Sequence, residues 1–292
     1  MKKYLIVYPV GNSSYGVYCL LFTVYCLLLT VNSCKKKEPD TDTQASTDNS
    51  IAEGEFSRMF IVTNSIAVND SGVQKGSYIP PVPSNYCPDS WTDSADVADG
   101  FPITMWIQYG ADTNYDGTFD YGCNTPGEKV RMGTVKAVFS APWSQNGSNV
   151  TMDLIDYYVS GVKYEGTISV TKNSATSFTQ TVTNGKAGNG SWTILWNCSR
   201  TLTVDIGDPS VPGDDFSLVS GTANGTDRNG KAFSVDITSP LRREMACRWI
   251  VSGAMTIKID GKKDRSVDFG NGTCDDRATV TIDGNTFEFA LQ

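Results

Sequence analysis

From Phe56 onward, apolar and polar residues alternate over short runs rich in Thr, Val, Ile, Tyr and Phe. A period of two puts successive side chains on opposite faces of an extended strand, so each run reads as a strand with one buried face. Turn chemistry separates the runs. Asn-Gly occurs at 146, 184, 189, 224, 229 and 271, and Asp-Gly at 99, 116, 260 and 283. Such dipeptides favour the positive-φ turns whose twist matches antiparallel strands. The pattern predicts an all-β fold, an antiparallel meander or β-sandwich built from hairpins. No stretch of ten or more residues carries the 3.6-residue period of an amphipathic helix.

Register follows from the last turns. A two-residue turn at Asp283-Gly284 places Val280 opposite Phe287 and Ala278 opposite Phe289, so that apolar faces apolar. A three-residue loop at Asp260-Gly261-Lys262 places Met255 opposite Val267 and Gly253 opposite Phe269. A bulge near Gly253 then brings Cys247 opposite Cys274. A disulfide is expected there, and the chain-entropy account gives it about 3.5 kcal/mol. Cys87–Cys123 is the second expected bridge, leaving Cys198 as the odd thiol. Val-Ser-Gly recurs at 159–161, 219–221 and 251–253, either as a repeated hairpin unit or by chance among many strands. The segment 207–215, with Pro209 and Pro212, breaks the strand pattern. It divides an N-terminal β region, 56–207, from a C-terminal one, 208–292, which can equally form one continuous domain.

The N-terminus changes the picture by setting a compartment. Lys2 and Lys3 precede an apolar run from Val17 to Val31, shorter than the roughly eighteen residues a bilayer-spanning helix needs. Basic start, short apolar run and polar residues before a cut site describe a secretory signal, residues 1–33. Val31-Asn32-Ser33-Cys34 resembles a bacterial lipobox, and the resemblance implies cleavage before Cys34 and lipidation of its thiol. Asn32 and the long stretch before the apolar run depart from that pattern. Residues 34–55 read as a disordered tether of Asp, Thr, Ser, Gln and Asn with almost nothing to bury. The expected location is the outer membrane, on the cell surface or the periplasmic face, held by lipid.

Charge and composition narrow the function classes. The chain carries a net charge of −8, with 24 basic and 32 acidic residues, and has no histidine. An acidic chain makes a poor nucleic-acid partner, because basic residues must replace phosphate counterions. Without histidine, His-based triads and His-ligated zinc are excluded. Catalysis by paired carboxylates stays open, and Asp153/Asp156, Asp214/Asp215 and Asp275/Asp276 are the neighbouring acids.

Three stretches carry a family resemblance: Tyr157 to Thr167, Gly225 to Lys231, and Cys247-Arg248-Trp249-Ile250-Val251-Ser252-Gly253 followed by Phe269-Gly270-Asn271-Gly272-Thr273-Cys274-Asp275. They resemble a family of Bacteroidetes-type exported lipoproteins with "CRWIVSG" and "GNGTCD" segments, over roughly residues 100–292. The resemblance implies an exported β-rich lipoprotein and transfers no catalytic residue. Segment 111–122 reads as an insertion relative to that pattern, and Cys198 as a second departure.

Within the insertion, Asp112, Asn114, Asp116, Thr118 and Asp120 resemble a short calcium loop, in which alternating oxygens converge on one hard cation. Cys123 stands where a closing acidic ligand is needed, and an Asx-rich turn explains the same residues without metal. Six tryptophans and thirteen tyrosines allow either core packing or glycan stacking. Trp192 and Trp196, four apart, are expected on one strand face. The expectation is a non-catalytic cell-envelope lipoprotein, a binding or structural module with an unassigned glycan or protein ligand and calcium as the one candidate cofactor. The alternative is a carbohydrate-handling surface protein, either a glycan-binding module or a carboxylate-dependent hydrolase.

Overall fold

The computed structural model describes residues 39–292 outside 69, 75–89, 94–99, 111–121, 124–128, 206–214, 245, 248 and 292. Cys34, Cys87 and the whole 112–120 loop lie outside the described residues. Asp40 to Gln292 form one compact unit.

The alternating pattern becomes one antiparallel sheet of thirteen strands, each paired with its sequence neighbour. The first seven are β1 (Ser90–Asp93), β2 (Ile103–Tyr109), β3 (Arg131–Phe139), β4 (Asn149–Val159), β5 (Val162–Lys172), β6 (Ser177–Gly188) and β7 (Thr193–Asp205). Then come β8 (Phe216–Thr226), β9 (Ala232–Glu244), β10 (Ile250–Ile259), β11 (Arg265–Asn271), β12 (Arg277–Ile282) and β13 (Asn285–Ala290). The meander expected from the turns is therefore the fold. Segment 207–215 does not interrupt it, since Asp205 at the end of β7 pairs with Phe216 at the start of β8.

The hairpin registers hold. Val280 pairs with Phe287, Ala278 with Phe289, and Met255 with Val267. Register slips between Ser252 and Ala254, which leaves Gly253 in a bulge and Asn271 opposite Ser252. Cys247 and Cys274 are disulfide-bonded as expected, although the slip sets Gly253 against Phe269 and Gly270, so the extra residue is on β11 and not on β10. Cys123 is also in a disulfide, and Cys198 is a free, buried thiol.

Two Asn-Gly dipeptides are not turns. Asn184-Gly185 lies inside β6 and Asn224-Gly225 inside β8. The reason is close approach: a Cβ on Gly185 would stand 2.2 Å from the Trp196 carbonyl oxygen, and one on Gly225 2.2 Å from that of Leu195. The Val-Ser-Gly repeat is likewise no structural unit. Ser160-Gly161 forms the tight turn between β4 and β5, whereas Gly221 and Gly253 occupy bulges at φ +113 and +110. Bulges bend the strand that carries them and increase its local twist.

What the curved sheet encloses overturns the tether and the expectation of no long helix. Residues 44–55, read as disordered, are the first half of α1 (Gln44–Ala67), followed by the short α2 (Ser71–Gln74). None of the described side chains of α1 is exposed. Its side chains meet β3, β4, β7, β10 and the β8–β9 turn, so the sheet wraps around it. Phe56 stacks on Trp196 with centroids 5.4 Å apart, and meets the Tyr164 ring edge-on at 5.8 Å. Ile51, Met59, Phe60, Val62 and Ile66, with Ala45, Ala52 and Ala67, complete the buried apolar contribution of α1 to the core.

Candidate functional site

Several polar residues of α1 are matched by residues of the sheet and its turns. Both oxygens of Glu55 accept from Arg131 of β3, Oε1 from Nε and Oε2 from Nη2, each at 3.2 Å. The Tyr157 hydroxyl donates to Glu55 Oε1 at 2.7 Å. Glu53 pairs with Arg200 of β7, and Asp48 with Arg228 of the β8–β9 turn. Asn49 accepts from the Trp196 indole through Oδ1 at 2.9 Å, and its amide contacts the Met255 sulfur. Asn64 accepts from the Trp143 indole, also at 2.9 Å. Just before the helix, Asp40 pairs with Arg265 and Asp42 with Lys231. Buried charges persist when paired and hydrogen-bonded, and this helix satisfies that rule along its length.

Protonation follows from these contacts. Burial alone would push the Glu55 carboxyl up, but the Arg131 and Arg58 guanidiniums outweigh it and hold the group at about 2. Burial, then the Glu55 charge, pushes the Tyr157 hydroxyl up. Burial also pushes the Cys198 thiol up to about 12, with Glu53 adding to it, so that this cysteine is an inert thiol.

Beside this network lies a cavity of about 120 Å³. α1 supplies Ser50, Glu55 and Arg58 to its wall, and the sheet side supplies Lys129, Arg131 and Arg243. Trp249, Ile250 and Leu291 close it with apolar surface. Among the described lining residues, four cations thus face one carboxylate. Arg243, on β9, makes no side-chain hydrogen bond or ion pair among the described residues, and burial lowers its pKa. The wall that carries Trp249 and Ile250 begins two residues after Cys247, so the disulfide to Cys274 pins it.

Of the residues singled out in the sequence, this site takes in only Trp249 and its neighbour Ile250. The candidate calcium residues Asp112, Asn114, Asp116, Thr118 and Asp120 lie outside the described residues, and among the described residues no cluster of three metal-ligating side chains occurs. Trp143 and Trp196 are core residues. Trp192 stands one residue before β7, half-buried against the same core as Trp196, and it lies under the Arg228 guanidinium at 4.1 Å. Of the neighbouring acids, Asp153 accepts from Thr167 and Asp156 pairs with Lys163, Asp214 lies outside the described residues, and Asp275 lines a shallow pocket with Asp268 and Arg277.

The cationic residues escaped sequence reasoning because they come from separate strands. The one usable signal was arginine at inward-facing positions of alternating runs, Arg131, Arg200 and Arg265, where apolar residues are the rule. Comparison with protein-family models, with curated proteins and with solved structures returns no match for this chain.

Proposed function

We propose that this chain is an exported, lipid-anchored protein of the cell envelope whose folded part binds a small ligand without transforming it. The observation that carries the binding reading is the cavity beside α1, which joins convergent polar groups to an apolar wall, the usual make-up of a ligand site. Binding is favoured over carboxylate-dependent hydrolysis because that chemistry needs one carboxyl group protonated as the acid. Glu55 is the carboxylate among the described residues of this cavity, and its two arginine neighbours keep it ionised. The signal-like N-terminus and the lipobox-like Val31 to Cys34 support export and anchoring. The Cys247–Cys274 disulfide fits an oxidising compartment.

Metabolic labelling with a palmitate analogue, followed by envelope fractionation, tests the anchor. Label in the membrane fraction is expected for the full chain, and Cys34→Ala should lose both the label and the fractionation. Thermal unfolding of the detergent-solubilised full chain against a small-molecule panel tests the binding. A ligand that binds only the folded state raises the midpoint. A panel of acids, sugars and nucleosides that all leave the midpoint in place would sink the binding reading.

A further inference from the structure

We propose that the cavity beside α1 is a site for a small carboxylate whose apolar body is about the size of a benzene ring. This rests on the binding reading above and deepens it to a ligand class. Charge is the first argument. A chain of net charge −8 gathers Arg58, Lys129, Arg131 and Arg243 around one cavity, with Glu55 as the one acid among its described lining residues. Glu55 is already engaged, since Arg131 takes both of its oxygens and Tyr157 donates to one of them. Glu53, the next acid along α1, is taken by Arg200.

Arg243 is the cation left over. It lines the cavity and makes no side-chain hydrogen bond or ion pair among the described residues. Arg243 is half-buried, and its planar fork matches a carboxylate with two parallel hydrogen bonds.

Shape supplies the second argument. Trp249, Ile250 and Leu291 form an apolar wall, so the fitting ligand has an anionic end and an apolar end. The volume, about 120 Å³, is close to the ~150 Å³ of an apolar cavity that takes benzene. Inorganic phosphate would leave that wall uncovered. The Cys247–Cys274 disulfide anchors the Trp249 segment to the end of β11, which holds the wall in place before any ligand arrives. Preorganisation of this kind lowers the ordering cost of binding.

The experiment is a titration of the detergent-solubilised full chain with benzoate, benzamide and inorganic phosphate, read by calorimetry and by tryptophan fluorescence. Benzoate is expected to bind, and neutral benzamide, of the same shape, to bind far more weakly. Arg243→Gln should weaken benzoate by about tenfold to a hundredfold, the loss of a charge-assisted pair of hydrogen bonds. Circular dichroism checks that this variant folds. If it does not, the benzoate-to-benzamide ratio of the unaltered chain decides alone. Equal binding of the two, unchanged benzoate affinity in a folded Arg243→Gln, or preference for phosphate over benzoate overturns the proposal. A sugar panel run in parallel separates the two levels of the argument. A bound sugar with silent benzoate removes the carboxylate and keeps the binding module, whereas silence of every probe removes both.

Discussion

Along β7 every second side chain from Ile194 to Leu202 is buried, and apart from Arg200 and the Cys198 thiol these are apolar. Along α1 the order is different: Asp48, Asn49, Glu53, Ser57 and Thr63 are as buried as Phe56 and Met59. The sheet has a solvent side and a core side, and its sequence records that boundary as alternation. The helix has no exposed side chain among its described residues. Its burial rests on specific partners, among them Arg131 for Glu55, Arg200 for Glu53 and Arg228 for Asp48. Hydrophobicity therefore selects the sheet, and complementarity selects the helix.

The sharpest way to break this contrast is to remove one member of a helix pair. Arg200→Ala or Glu53→Ala should destabilise the fold by about 3–5 kcal/mol in urea unfolding, because the surviving charge is left buried and unpaired. Replacing both by methionine should recover most of that loss, since a well-packed apolar pair can equal a buried ion pair. A single variant as stable as the unaltered chain would mean that water reaches the pair.

Acid tests the same network without a mutation. Glu55 has an ordinary carboxyl pKa of 4.5 and is held at about 2 in the fold. A group with a depressed folded value stabilises fully above its unfolded pKa, and the contribution fades as pH falls through the folded one. About 3 kcal/mol should therefore be present at neutral pH and lost progressively from about pH 4.5 to about pH 2. In Glu55→Gln that part of the acid dependence should vanish. An unchanged acid profile in a folded Glu55→Gln would place the sensitivity elsewhere.

The smallest effect belongs to the outer face. Arg277 and Glu288 pair at 2.9 Å between β12 and β13, with side chains 66% and 58% exposed. Exposed pairs contribute little. Glu288→Gln should leave the urea midpoint where it was, despite a distance and chemistry like those inside. A shift as large as that of Arg200→Ala would erase the distinction between the two regions.

The same contrast explains what the sequence could tell. Val280 opposite Phe287, Met255 opposite Val267 and the Cys247–Cys274 bridge were all legible, because hairpin pairing is local and a period of two counts cleanly. The segment from Gln44 to Glu55 was not. Asp, Ser, Thr, Asn and Gln crowd it, and hydropathy reads such a run as solvated. Nothing nearby in the chain announces the arginines that balance it. Arg243 was illegible for the same reason, since its distinction is what it lacks in space.

The order of these partners along the chain bears on how the molecule assembles. Each strand pairs with the one just made, so the sheet can grow as its residues arrive. The plug cannot keep pace. Glu55 meets Arg131 after 76 residues, Glu53 meets Arg200 after 147, Asp48 meets Arg228 after 180, and Asp40 meets Arg265 after 225. Contacts across such separations carry the loop-closure entropy that slows folding. The helix sequence emerges before any strand, yet its charges are neutralised in sequence from its middle back towards its start. The last is matched only when β11 exists. A chain halted before Arg265 would hold a partly built sheet around the helix while Asp40, just ahead of it, still lacks its arginine.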